Sequence, residues 1–154
     1  FGPFIGIDAN LKNGFNFGFR FSKSRMLSLS LVDFQVSETN STEFTISIGH
    51  RVKGLRLPFT LFGANQLEND LNFKFDFGLR SDFTANSYLA QNIVLPTRGQ
   101  RVITIMPTAD YIINDQLQIQ FYFDYRQTIP VLSTSYPITS ARGGIKLTFI
   151  FSGQ

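Results

Sequence analysis

The chain has 154 residues, of which 16% are charged and 43% hydrophobic, with a formal net charge of +3. That balance excludes a disordered, solvating polymer, and the small, dispersed positive charge offers no basic stripe for nucleic acid. Cysteine is absent, which removes disulfides and thiolate chemistry, and 18 Phe against no Trp is a bias foreign to most soluble domains.

The N-terminal Phe1-Gly2-Pro3 carries no Met, basic n-region or apolar h-region. The expectation is a mature or internal segment whose export signal lies upstream. No run approaches 18 consecutive apolar residues, which excludes a transmembrane helix and says nothing against a membrane barrel.

The dominant period is two. Phe15, Phe17, Phe19 and Phe21 share one face; Leu71, Phe73, Phe75, Phe77 and Leu79 repeat the pattern. So do Leu117, Ile119, Phe121, Phe123 and Tyr125, and finally Ile145, Leu147, Phe149 and Phe151. Alternation this strict predicts strands with one apolar and one polar face, and no stretch has a helical period. The predicted fold is all-β: about eight antiparallel strands over 3–9, 14–23, 25–37, 42–53, 67–81, 100–113, 116–127 and 139–151. Turn chemistry is read at Asn13-Gly14, Ser22–Ser24, Glu38–Ser41 and Asn114-Asp115. Longer links are expected at Gly54–Gln66, where a short strand could hide, Asp82–Gly99 and Thr128–Ile138. Leu27, Leu29 and Leu31 are odd while Phe34 and Val36 are even, a phase change that a bulge near Val32 would explain. Pro107 implies another bulge or a locally unpaired position.

Long rows of Phe, Leu and Ile would demand a very large dry core if they faced inward. Facing lipid, they need none. The expectation is therefore a transmembrane β-barrel segment spanning 1–154. Phe15, Phe17, Phe19, Phe21, Phe73, Phe75, Phe77, Phe121, Phe123, Phe149 and Phe151 are expected to face lipid. Asn16, Arg20, Lys74, Asp76, Arg80, Gln118, Gln120, Asp124, Arg126 and Lys146 are expected to line the lumen. If the last strand ends at the periplasm, Asn114-Asp115 and Ser22–Ser24 are periplasmic turns, Gly54–Gln66 is a long periplasmic link, and Asp82–Gly99 and Thr128–Ile138 are extracellular loops. Ile93–Pro96 is apolar for such a loop and suggests docking or lumenal packing.

Three stretches resemble the C-terminal region of the SprA/Sov family, the translocon barrel of the Bacteroidetes type 9 secretion system. They are NGFNFGFRFSKSRMLSLSLVDFQVSE (Asn13–Glu38), GQRVITIMPTADYIINDQLQIQFYFDYRQ (Gly99–Gln127) and RQTIPVLSTSYPITSARGGIKL (Arg126–Leu147), together about half the chain. The last is the most specific, because alternating Phe is common in barrels and that loop is not. The resemblance implies an outer-membrane barrel of about 36 strands. It would pass folded cargo bearing a C-terminal sorting domain, and would bind a PorV-type barrel protein or a periplasmic plug protein. The family supplies no catalytic residues and no cofactor. Ser152-Gly153-Gln154 after Phe151 departs from the terminal aromatic of many barrels.

His50, the single histidine, is in phase with Phe44, Ile46 and Ile48 near a strand end. That is an interfacial position and not a catalytic one. Asp76 and Asp124 read as partners in lumenal ion pairs, with Lys74 and Arg126, and no metal-spaced cluster or nucleotide loop is present. No enzymatic activity is expected. The lumenal set carries more Arg and Lys than Asp, so a weakly basic wall that biases cargo is a further expectation. The rival reading is an autonomous eight-stranded outer-membrane barrel, structural or adhesive, with a lumen filled by side chains.

Overall fold

The computed structural model describes residues 4–32, 34–53, 56–61, 64–66, 70–114, 117–132 and 135–149. It is all-β. The strands are β1 (Ile5–Asn10), β2 (Phe15–Ser30), β3 (Gln35–Val52), β4 (Arg56–Leu61), β5 (Ala64–Gln66), β6 (Leu71–Tyr88), β7 (Ile93–Asn114), β8 (Leu117–Pro130) and β9 (Ile138–Phe149). Seven form one antiparallel sheet in the order β1-β2-β3-β6-β7-β8-β9, while β4 and β5 make a separate two-stranded ribbon. Each strand of the sheet pairs with its successor, so the chain simply runs up and down. The link 54–66, where a short strand was suspected, carries β4 and β5.

Several strands are longer than the alternation alone predicts. Ser22, Lys23 and Ser24 form no turn; they pair with Glu43, Thr42 and Ser41 inside one continuous β2. Glu38–Ser41 is likewise mid-strand in β3. The supposed loop Asp82–Gly99 is the upper part of β6 and the start of β7, with Ile93, Val94 and Leu95 paired to Tyr88, Ser87 and Asn86. Ser, Thr and Asn satisfy turns readily, but here their side chains bond across the ladder instead. Thr39 meets Thr84 at 3.0 Å, and the Ser41 hydroxyl donates to Asp82 Oδ1 at 2.5 Å.

The phase change near Val32 is a hairpin and not a bulge. Phe15 pairs with His50 and every later β2–β3 pair keeps that offset, so odd residues of β2 share a face with even residues of β3. Phe34 closes this turn at φ 46°, a left-handed conformation that is uncommon for a bulky residue. At the other end, Gly14 at φ 78° closes the β1–β2 turn, and its N–H donates to the Leu11 carbonyl at 3.1 Å. Pro107 sits opposite Phe75 in β6, while on the β8 side pairing stops at Ile105–Tyr125 and resumes in the same register at Thr108–Tyr122. The missing N–H interrupts one ladder without shifting its register. The expected Asn114-Asp115 turn runs into residues 115–116, which lie outside the described set, as does 150–151 of the last expected strand.

Nothing covers either face of this sheet among the described residues. Among the described residues, Leu71, Val102, Tyr111 and Ile119 are the hydrophobics nearest full burial, at 7–9% exposure, and no side chain is completely enclosed. Phe73, Phe121 and Phe149 remain 47%, 47% and 59% exposed. A sandwich would bury one of these faces against a second layer. This sheet has no second layer.

Candidate functional site

The functional element is the sheet itself, a wall with two unlike faces. On one face the register aligns apolar side chains into rows that cross the strands. One row is Phe15, His50, Phe73, Ala109, Phe121 and Ile145; the next is Phe17, Ile48, Phe75, Pro107 and Phe123. Above them stand Phe19, Ile46, Phe77, Ile105 and Tyr125, then Phe21, Phe44, Leu79 and Ile103; below stand Val52, Leu71, Tyr111, Ile119 and Leu147. Rows lie two residues apart, so five of them cover about 27 Å along the strands. Strand tilt shortens that figure and side-chain ends add to it, which leaves the band comparable to the roughly 25 Å apolar belt of a membrane barrel. No Asp, Glu, Lys or Arg interrupts these rows. The phenylalanines expected to face lipid all share this face, apart from Phe151, which lies outside the described residues.

The opposite face is mainly polar, with Met26, Val102, Met106, Ile112 and Ile138 among its apolar exceptions. All ten residues expected to line a lumen fall on it: Asn16 and Lys74 flank Gly49 in one row, Arg20 and Arg126 share another, and Gln120 sits beside Lys146. Lys74 Nζ lies 2.8 Å from Asp76 Oδ2, and Asp76 also accepts from the Ser47 hydroxyl at 2.6 Å. Arg20 approaches Asp8 at 4.0 Å. One partner differs from the sequence reading. Asp124 takes Arg142, its direct cross-strand neighbour in β9, at 2.6 Å, and not Arg126. Directly opposite residues come closer than residues two apart on one strand. Arg126 and Lys146 have no carboxylate partner among the described residues. These pairs are largely exposed, so each contributes at most about 1 kcal/mol. Their collective effect is a hydrated, charge-dotted surface.

Beyond the Phe21 row the sheet continues as a four-stranded projection made of β2 22–30, β3 35–43, β6 80–88 and β7 93–102. Asp82 knits it together, accepting from Ser41 (2.5 Å), Arg80 Nε (2.9 Å) and Gln100 Nε2 (3.2 Å). Partial burial pushes the Asp82 carboxyl up, but these three donors outweigh it and hold its pKa below the usual range. Arg25 grips Glu38 with two bonds of 2.8 Å. With the Asn40 amide, it likewise holds the Glu38 carboxyl low. This projection was hidden in the sequence, because its polar residues resemble loop material.

His50 stands between Phe15 and Phe73 in the register, with its ring 6.0 Å from Phe15 and its Nδ1 buried without a hydrogen-bond partner. A shallow hollow of about 460 Å³ lies between β1 and β6, with Asp8, Asn16, Ser47, Lys74 and Asp110 among its lining. Gly18 and Gly49 keep its floor low. Among the described residues no group of three His, Asp or Glu is placed to hold a metal ion. No helix is long and apolar enough to cross a membrane. Comparison with models of known protein families gives no match, and comparison with curated proteins gives none.

Proposed function

We propose that this chain forms part of the wall of a large outer-membrane pore that conducts folded proteins, the translocon of type 9 secretion. The observation that carries the membrane half of this reading is the single-layered sheet, whose apolar band meets no protein layer. A bilayer is the solvent in which such a face is stable and in which paired strands are one of the two permitted spanning structures. The polar face then lines an aqueous passage.

Strand parity supports a larger barrel over an autonomous one. With seven antiparallel strands in sequential order, β1 and β9 run in the same direction. Joining them to each other would need a parallel seam, which even-stranded bacterial barrels avoid. Unpaired edge groups inside hydrocarbon cost several kcal/mol each, so both edges call for further strands. In the proposed orientation the 115–116 connection is periplasmic and the four-stranded projection stands outside the cell. The hydrated face would contact cargo that bears a C-terminal sorting domain. The rest of the barrel, a PorV-type protein and a periplasmic plug protein are the proposed partners, by the sequence resemblance.

Protein conduction is tested by narrowing the passage. The chain has no cysteine, so in a whole barrel cleared of any cysteine elsewhere, Lys74→Cys and Phe75→Cys each offer one attachment point for a maleimide carrying a bulky polymer. Blocked release of secreted proteins with the polymer at 74, and normal release with it at 75, is the expected result. Undiminished secretion with a fully modified position 74 contradicts the proposal.

A further inference from the structure

We propose that the row immediately above the apolar band, Lys23–Thr42–Ser81–Arg101, binds the phosphates of anionic lipid headgroups. The proposal rests on the membrane reading of this face and adds a ligand to it. The four residues are register partners across β2, β3, β6 and β7. They lie along a line about 14 Å long, three strand spacings from end to end. They sit one row beyond Phe21, Phe44, Leu79 and Ile103, where the apolar belt stops.

The row is a strip of donors, with an ammonium and a guanidinium at its ends and two hydroxyls between. Lys23 and Arg101 are exposed, and neither has a carboxylate within ion-pair distance among the described residues. On the apolar side of the seven-stranded sheet the charges are three cations, Lys23, Arg25 and Arg101, against one carboxylate, Glu38. Arg25 consumes that carboxylate in its two-bond pair, with Glu38 also held by Asn40. Lys23 and Arg101 are therefore left uncompensated in the first row of this face, counted from the apolar band, that carries charge. Both side chains can lay their stems on apolar surface and lift the charged end to headgroup level. A phosphate there is a fitting acceptor, because guanidinium and ammonium bonds to it are charge-assisted. The hydroxyls of Thr42 and Ser81 add donors between them.

The test uses the whole barrel that contains this chain, in neutral detergent, offered phosphatidylglycerol or phosphatidylcholine at equal mole fraction, with retained lipid counted by native mass spectrometry. The unmodified barrel is expected to prefer phosphatidylglycerol. Lys23→Gln with Arg101→Gln should reduce that preference by about 25-fold, at about fivefold per cation. Arg25→Gln with Glu38→Gln, which leaves net charge unchanged, should keep it. Lys23, Arg25 and Arg101 are exposed and Glu38 is half-buried, and an unchanged β circular dichroism spectrum verifies the folding of both double variants. An absent preference, or one that survives loss of Lys23 and Arg101, overturns the proposal while leaving the membrane reading intact. A barrel that retains neither lipid and separates into the aqueous phase of a detergent cloud-point partition overturns both.

Discussion

Gly14 is constrained twice over. Its φ of 78° suits glycine, and a Cβ there would stand 3.0 Å from the Arg51 carbonyl oxygen, a backbone atom that cannot swing aside. Gly14→Ala should therefore destabilise the β1–β2 turn by about 1–2 kcal/mol, read as a lowered denaturant midpoint with unchanged slope. Gly143 and Gly144 are a different case, because the atoms that meet their missing Cβ include side chains of β8. Phe123 would lie 3.2 Å from a Cβ at 143 and the Tyr122 hydroxyl 2.8 Å from one at 144, so each glycine is covered by an aromatic on its own face. Phe75 stands in the central apolar row and is 40% exposed. Phe75→Lys in a lipid-inserted barrel should cost about 2–4 kcal/mol, whereas Asp76→Lys, one residue away on the hydrated face, should cost far less. Urea titration of vesicle-inserted protein compares the two, and equal costs would contradict the assignment of faces.

Among the elements, the four-stranded projection is the one whose stability responds to acid. The Asp82 and Glu38 carboxyls have depressed pKa values in the folded chain. Their contribution is fully present above the ordinary carboxylate range and is lost as pH falls through the depressed values. Amide exchange in 80–88 and 35–43 should accelerate between neutral pH and about pH 3 relative to the apolar band, after correction for intrinsic rates. Asp82→Asn should bring part of that loosening to neutral pH, because Arg80 then loses its charged acceptor. Exchange that accelerates equally in the band and the projection would contradict this picture. The same element marks how much could be read from sequence. Phe17-Gly-Phe-Arg-Phe and Phe73-Lys-Phe-Asp-Phe announce strands unaided, since each residue type matches its face. Ser22–Ser24 and Glu38–Ser41 read as turns because the local chemistry that closes a turn also bonds across a ladder. Only the neighbouring strand decides between them. The parity flip at 31–34 was visible, but a turn with an even number of residues and a one-residue bulge leave the same trace in a sequence. The exchange of Arg126 for Arg142 as the partner of Asp124 required knowledge of the β8–β9 register.

At the scale of the whole molecule, the two faces of the sheet suit two different solvents. Seven strands expose an uninterrupted apolar belt on one side and a network of carboxylates, cations and amides on the other, with no enclosed core among the described residues. A one-residue slip of any strand would exchange its faces, so the two environments together fix the register. The absence of tryptophan from the chain makes the most direct measurement possible. In a lipid-reconstituted barrel cleared of tryptophan elsewhere, Phe75→Trp and Asp76→Trp each place a single fluorophore, on one side of the wall or the other. Lipids brominated along their acyl chains should quench the fluorophore at 75 and spare the one at 76, while aqueous acrylamide should do the reverse. Equal quenching at both positions, or a Phe75→Trp chain that stays monodisperse in buffer without amphiphile and resists both quenchers, would contradict the account.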